Sequence, residues 1–319
     1  MKKEIGGYPS QELYNGQEYH TNEFRLNSVR NAIVFITEAA QYKKLYIPYL
    51  LCDSVWKKLE AKDIGYEFYH IDDRYFPILQ PDHVKKNEGV LIVNYYGIFG
   101  ESEIETLQKK YNNLIIDNTH DFFSEYDISV DVVYNCRKYF GVTDGAYVKC
   151  NKPDMVQMYR NLPMDSSSSR YLYLLKRFEE GASSGYSLFR EQEKKFEKMP
   201  IAKMSLITKN VLSSLKYDDI KKRRTDNFSY LHIQLQSEFY KNTYSFKKGT
   251  YMYPYVAFNA RQLREKLIKA KIYVPIFWTD VLKQKGLNDV ENNFVKNVLP
   301  LPIDHRYEWK DMQYIVNQL

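Results

Sequence analysis

Short apolar runs alternate with amphipathic stretches through roughly residue 150 of this 319-residue chain, and that alternation limits the fold more than any other feature. In AIVFITEAAQ, the apolar residues Ala32, Ile33, Phe35, Ile36, Ala39 and Ala40 recur at helical spacing, behind Asn27 or Ser28 as N-cap. KLYIPYL follows as a short strand that Pro48 ends. A helix is expected around Asp53–Ala61, then the strand YEFYHI. GVLIVNYYG, closed by Gly97, and NLIIDNTHDFF read as strands buried on both faces, with a helix near Ser102–Tyr111 between them. VDVVYNCRKYFGVTDGAYVKC reads as two strands flanking a turn. Such alternation predicts βα units and a mostly parallel sheet. Ligands of these sheets collect beyond the carboxyl ends of the strands, where Asn94, Asp117, Asn118 and His120 fall.

Residues 151–230 are expected to be mainly helical, with SSSS at 166–169 as a loop. Beyond them YPYVAFN and IYVPIFW read as strands around the helix ARQLREKLIKAK, and LPLPIDHRYEWKDMQYIVNQL as a turn and a final helix. The chain thus divides into an N-terminal arm (1–25), a large α/β domain (26–220) and a small C-terminal α+β domain (221–319). The net charge of +6 is spread over the chain. Lysines and arginines 221–224 read as a solvated helical face, so no nucleic-acid partner is expected. Three cysteines without a CxxC pair make no disulfide framework, and six scattered histidines make no metal cluster. No run is long enough to span a bilayer, and the start lacks a signal-peptide pattern. A soluble cytoplasmic protein is expected, with no membrane partner.

The signatures GxGxxG, GxxxxGK[ST], GxSxG and HExxH are absent. An order of features stands in their place. A capped helix start at Ser28 comes first. Asp117 then ends a buried strand, His120 follows three residues on, and Lys138 comes 21 residues after Asp117, ahead of Thr143-Asp144-Gly145 on what reads as a strand and turn. Each part has a use if a phosphorylated pyridine aldehyde is bound. A lysine amine can form a Schiff base with the aldehyde. A buried carboxylate can keep the ring nitrogen protonated. A helix N-terminus can hold the phosphate. Taken singly, Lys138 could be an ordinary strand-end lysine, Asp117 a turn residue, His120 a structural histidine, and Arg30 the partner of an acidic neighbour.

In this order the chain resembles the DegT-type (DegT/DnrJ/StrS) nucleotide-sugar aminotransferases, enzymes that use pyridoxal 5'-phosphate (PLP) and have the aspartate-aminotransferase fold. Asn27-Ser28-Val29-Arg30-Asn31-Ala32 stands where that family has NSGTAA. Leu114-Ile115-Ile116-Asp117-Asn118-Thr119-His120 matches its VIEDAAH. Arg137-Lys138, with Thr143-Asp144-Gly145-Ala146 after it, matches its TK…GEGG. Leu45-Tyr46-Ile47-Pro48, Tyr96-Gly97, Lys203-Met204-Ser205, Lys222-Arg223-Arg224-Thr225-Asp226-Asn227 and Leu299-Pro300-Leu301-Pro302 follow the family's order too. The resemblance implies a mostly parallel seven-stranded sheet, PLP as cofactor and a homodimer. It also implies transfer of an amino group from a donor such as glutamate to a keto nucleotide-sugar, in surface polysaccharide biosynthesis. Lys138 would carry the cofactor and shuttle a proton, Asp117 would face the pyridine nitrogen, and His120 would sit near the ring and its phenolic oxygen. Ser28 and the backbone at Val29 and Arg30 would hold the phosphate.

Three positions depart from the family pattern. Val133 replaces a phosphate-contacting serine, Cys52 an aromatic that stacks on the ring, and Ile201 an asparagine donated across the dimer. Asn135 and the Arg30 guanidinium are the candidates to make up the lost phosphate contact. These departures leave two other readings open: a fold member that only binds or scaffolds, and a PLP enzyme of other chemistry, such as dehydration. The family's dehydratases have histidine in place of the lysine, so Lys138 favours transamination.

Overall fold

The computed structural model describes residues 7–8, 16–241, 248–284 and 286–319; the rest of the expected arm lies outside the described residues. Five strands form the parallel centre of the main sheet: β2 (Lys44–Pro48), β3 (Gly65–Ile71), β5 (Glu88–Val93), β6 (Leu114–Asn118) and β7 (Asp131–Asn135). Every residue of β5 and β6 is buried, as strands covered by helices on both faces require. Three antiparallel strands complete the sheet: β1 (Phe24–Leu26), β4 (Pro77–Ile78) and β8 (Ala146–Lys149).

The order β1-β8-β7-β6-β5-β2-β3-β4 makes eight strands, not seven. The end of the expected arm accounts for one edge. Phe24 and Leu26 pair with Val148 and Ala146, and Arg25 bonds Glu18 at 2.7 Å. At the other edge Pro77-Ile78 folds back on β3. The strand order reverses between the parallel β2 and β5, the switch point whose carboxyl side is where ligands of such sheets bind.

Helix α1 (Val29–Ala39) begins at Ser28, whose Oγ accepts from the Asn31 N–H at 3.3 Å. All of its residues except Arg30 and Glu38 are buried. Burying Ile33, Val34, Phe35 and Ile36 contributes about 1.5–3 kcal/mol for each side chain. Helices α2 (Asp53–Glu60) and α3 (Glu101–Lys110) form crossovers between adjacent parallel strands, and the four-residue α4 (Cys136–Tyr139) lies in the turn that joins β7 to its antiparallel neighbour β8. After β8 come α5 (Met155–Asn161), α6 (Leu172–Glu180), α7 (Tyr186–Glu197), α8 (Leu206–Ser213) and α9 (Tyr217–Leu235). Helix α9 runs unbroken through residues 220 and 221, where the expected domain boundary falls. None of the described helices is long and apolar enough to cross a membrane.

The C-terminal part departs from expectation twice. LPLP is not a turn: β10 (Val298–Pro302) pairs antiparallel with β9 (Met252–Val256), with Pro300 opposite Pro254. A two-stranded sheet is all edge and tolerates both prolines. IYVPIFW is not a strand. Pro275 has no N–H to give a ladder, Trp278 takes a left-handed conformation (φ 55°), and the segment crosses the large domain as irregular chain. It is preceded by α10 (Ala260–Lys269); α11 (Asp289–Asn297) and α12 (Trp309–Gln318) complete the chain.

One glycine joins three of these elements. Gly145 has φ +116°; its N–H donates to the Asn27 carbonyl at 2.8 Å, and its own carbonyl accepts from the Cys136 N–H at 3.2 Å. A Cβ there would lie 3.0 Å from Thr208 Cγ2 and 3.1 Å from Cys136 Cβ. Gly145→Ala is therefore expected to cost about 1–3 kcal/mol, as a lowered urea midpoint at unchanged slope. A wild-type midpoint would contradict this reading of the turn.

Candidate active site

Asp117 and His120 stand at the carboxyl end of β6, both buried. Asp117 Oδ1 accepts from the Thr119 N–H at 2.9 Å. Burial pushes its carboxyl above the ordinary range; hydrogen bonds from Thr119 and the charge of Lys138 act against that rise. The turn after β5 aims at His120. Asn94 Oδ1 accepts from the Phe99 N–H at 2.8 Å, and its amide donates to Asn118 and Asp121. The turn so fixed holds Tyr96 at φ 52°, with its N–H 3.4 Å from His120 Nδ1. Nδ1 accepts, so the ring proton is on Nε2. Burial, with the nearby Lys138 charge, pushes the imidazole well below its usual range and keeps it neutral.

Lys138 is not on a strand. It lies in α4, a single helical turn that begins where Asn135 Oδ1 accepts from the Arg137 N–H at 3.0 Å. An asparagine at a strand end caps such a turn readily. Lys138 Nζ sits 4.9 Å from the centre of the Phe277 ring and 5.6 Å from that of Tyr251. Asp117, His120 and Lys138 therefore share one end of the sheet, as their order in the sequence predicts.

The N-terminus of α1 adjoins this group through the Gly145–Asn27 bond. The Ser28 hydroxyl is committed to its cap, and the first-turn N–H groups of Val29 and Arg30 have no intrahelical acceptor. Arg30 does not pair with an acid: it forms no ion pair among the described residues, and its buried Nη1 has no partner. The buried Nε of Arg137 has none either. Val133, fully buried, pairs in register with Asp117. Cys52 lies exposed at the start of α2, and Ile201 is half-buried against the core.

Sequence reasoning missed the aromatic wall. His120 stacks on Tyr251 at 5.0 Å between centroids, with Tyr96, Phe277 and Trp278 at 5.2, 5.5 and 5.7 Å. Phe277 and Trp278 belong to the segment read as a strand, so their apolar character pointed to a sheet rather than to this site. Arg224 was also missed as a link. Fully buried, it donates to the carbonyls of Tyr251 (3.0 Å) and Thr250 (3.3 Å) and to that of Tyr139 (3.3 Å), the residue after Lys138. The reading of residues 221–224 as a solvated helical face thus fails at Arg224, and the RR pair of the family resemblance was the available signal.

The raised carboxyl of Asp117 gives a signed pH dependence. An acid whose folded value exceeds its unfolded value loses the fold stability as pH rises through that interval, because the unfolded chain releases the proton first. Asp117→Asn keeps an oxygen for the Thr119 N–H and removes the buried charge. In urea unfolding of the cofactor-free protein, the variant is expected to gain on wild type as pH rises above the ordinary aspartate range. A relative loss over that rise would contradict the burial argument.

No family model matches this sequence, and no curated protein does. Solved structures do. The sugar aminotransferase CalS13 of Micromonospora echinospora superposes with a TM-score of 0.64 at 11% identity, over 92% of this chain and 86% of that one. DesV of S. venezuelae gives 0.62 at 13% identity, over 93% and 83%. E. coli GDP-4-keto-6-deoxy-D-mannose-3-dehydratase, solved with bound hydrated PLP, gives 0.60 at 14% identity, over 92% and 86%. Likeness at such low identity speaks for the backbone path, and over nine-tenths of its length this chain has the fold of the PLP-dependent sugar aminotransferases.

Proposed function

We propose that the chain is a PLP-dependent aminotransferase that moves an amino group from an amino acid such as glutamate to a keto sugar carried on a nucleotide. The observation that carries this reading is the meeting of Lys138, Asp117 and His120 at one end of the sheet, beside the α1 N-terminus. Surface polysaccharide biosynthesis, cytoplasmic location and a homodimer belong to the same proposal. The dimer has support in the exposed apolar residues Leu172, Leu175 and Phe178 of α6, the last 91% exposed.

The residues fit the cofactor. A buried acid, a reachable primary amine and buried guanidinium N–H groups without partners are the donor and acceptor set that a phosphorylated pyridine aldehyde needs. Ser28, the backbone of Val29 and Arg30, and Asn135 would hold it from the phosphate side; Asp117, His120 and Lys138 would hold the ring. When bound, PLP supplies an aldehyde and an electron-accepting ring. Asp117 places a buried negative charge where a ring proton has to be kept. His120, neutral, offers its Nε2–H as a donor. With the cofactor bound, Lys138 Nζ would be the base that takes a proton from the α-carbon of the amino donor and, in the second half-reaction, the acid that gives one to the acceptor carbon. Tyr96, Tyr251, Phe277 and Trp278 exclude water around that transfer.

Purified protein incubated with PLP should be yellow, and borohydride should fix the cofactor to the peptide that contains Lys138. Lys138→Ala should lose both properties and keep the fold by circular dichroism. Asp117→Asn should still be trapped, with the transamination half-reaction slowed on the order of 10²-fold. Trapping at another lysine would remove Lys138 from the site, and an uncoloured wild type would favour a fold member that only binds. Light scattering should give twice 38.1 kDa; a mass of one chain at every concentration, with PLP binding intact, would dismiss the shared-site dimer.

A further inference from the structure

Phe196 of α7 is buried, and two guanidinium groups lie against its ring: Arg137 at 4.1 Å and Arg30 at 5.4 Å from the centroid. Arg30 is the second residue of α1, and Arg137 directly precedes Lys138. Two like charges are thus brought to one aromatic ring. The only ion pair between them and a described carboxylate is Arg137–Glu193. Arg30 Nη1 and Arg137 Nε, both buried, have no hydrogen-bond partner. Burial, with the Arg137 charge, pulls the Arg30 guanidinium below its usual range against partial relief from Cys52, Glu193 and Glu197, and a dianion at the pair would act in the same sense as that relief.

We infer that Arg30 and Arg137, seated on Phe196, form a two-guanidinium phosphate site that replaces the hydroxyl absent at Val133. The inference rests on the proposed cofactor reading and extends it to Arg137, Phe196 and Glu193. Val133 is fully buried beside Asp117 and has no hydrogen-bonding side chain. A guanidinium presents five N–H donors in a rigid fork, which suits phosphate oxygens two at a time. With the free first-turn N–H groups of α1 the pair would surround an anion on two sides. Glu193, one turn before Glu197 and Phe196 on the same helix, neutralises Arg137 until the anion arrives. The phosphate could come from PLP or from the diphosphate of a nucleotide sugar, and the site is assigned to the cofactor because both arginines adjoin the α1 start and the lysine turn.

Binding of PLP, pyridoxal, inorganic phosphate and UDP to the full-length cofactor-free chain, measured by calorimetry, tests this. Arg30→Gln and Arg137→Gln should each weaken PLP and inorganic phosphate by about tenfold or more and leave pyridoxal within about twofold of wild type. Glu193→Gln should tighten phosphate several-fold, a gain that a misfolded variant cannot give. Wild-type PLP affinity in Arg137→Gln would overturn the inference, and so would equal losses for PLP and pyridoxal. Loss of UDP with PLP unchanged would move the pair to the substrate and overturn the cofactor assignment. A wild type that binds phosphate through both arginines but takes up no PLP would sink the proposed function and leave the anion site standing.

Discussion

The hydrogen bond from the Gly145 N–H to the Asn27 carbonyl sets the geometry on which the candidate site depends. It joins the turn before β8 to the residue that precedes the α1 cap. Through Cys136 the same glycine reaches the first residue of the lysine turn. The Asn27 side chain extends the link: Asn31 donates to it at 2.8 Å, and its own amide donates to the Pro200 carbonyl at 3.0 Å. Beside it the fully buried Asp144 accepts from the Ser205 N–H and hydroxyl, both at 2.8 Å, and from Thr208. A buried carboxylate is costly unless its oxygens are satisfied. Here that requirement fixes the start of α8 against the Gly145 turn, so the helix start, the lysine turn and α8 cannot move independently.

A second brace comes from the other side. Among the described residues, Arg224 gives its guanidinium to backbone carbonyls and forms no ion pair with a carboxylate. Those carbonyls belong to the chain around Tyr251, which stacks on His120, and to Tyr139, next to Lys138. The aromatic wall and the lysine are thus tied to one side chain of α9. Two residues of the wall, Tyr96 and Trp278, are in left-handed backbone conformations, a local cost that close aromatic packing offsets.

The parallel centre was legible because buried strands write continuous apolar runs: LIIDN, GVLIV and KLYIP all became strands close to the expected limits. The order Ser28, Asp117, His120, Lys138 was legible because polar residues at the ends of such runs have few places to go. Lys138 was put on a strand because the capping of a four-residue turn by Asn135 leaves almost no periodic signal. Phe277 and Trp278 were hidden in a β-like run that Pro275 stops from pairing. Arg137 and Phe196 are about sixty residues apart in the chain, and nothing local in either segment announces that they meet.

The proposed chemistry requires PLP at the end of the sheet where these braces converge. A crystal structure of the chain grown with PLP tests that most directly. It should show density continuous with Lys138 Nζ, the pyridine nitrogen against Asp117, and the phosphate at the first turn of α1 beside Arg30 and Arg137. Density elsewhere, or none under conditions that saturate a known PLP enzyme, would contradict the account.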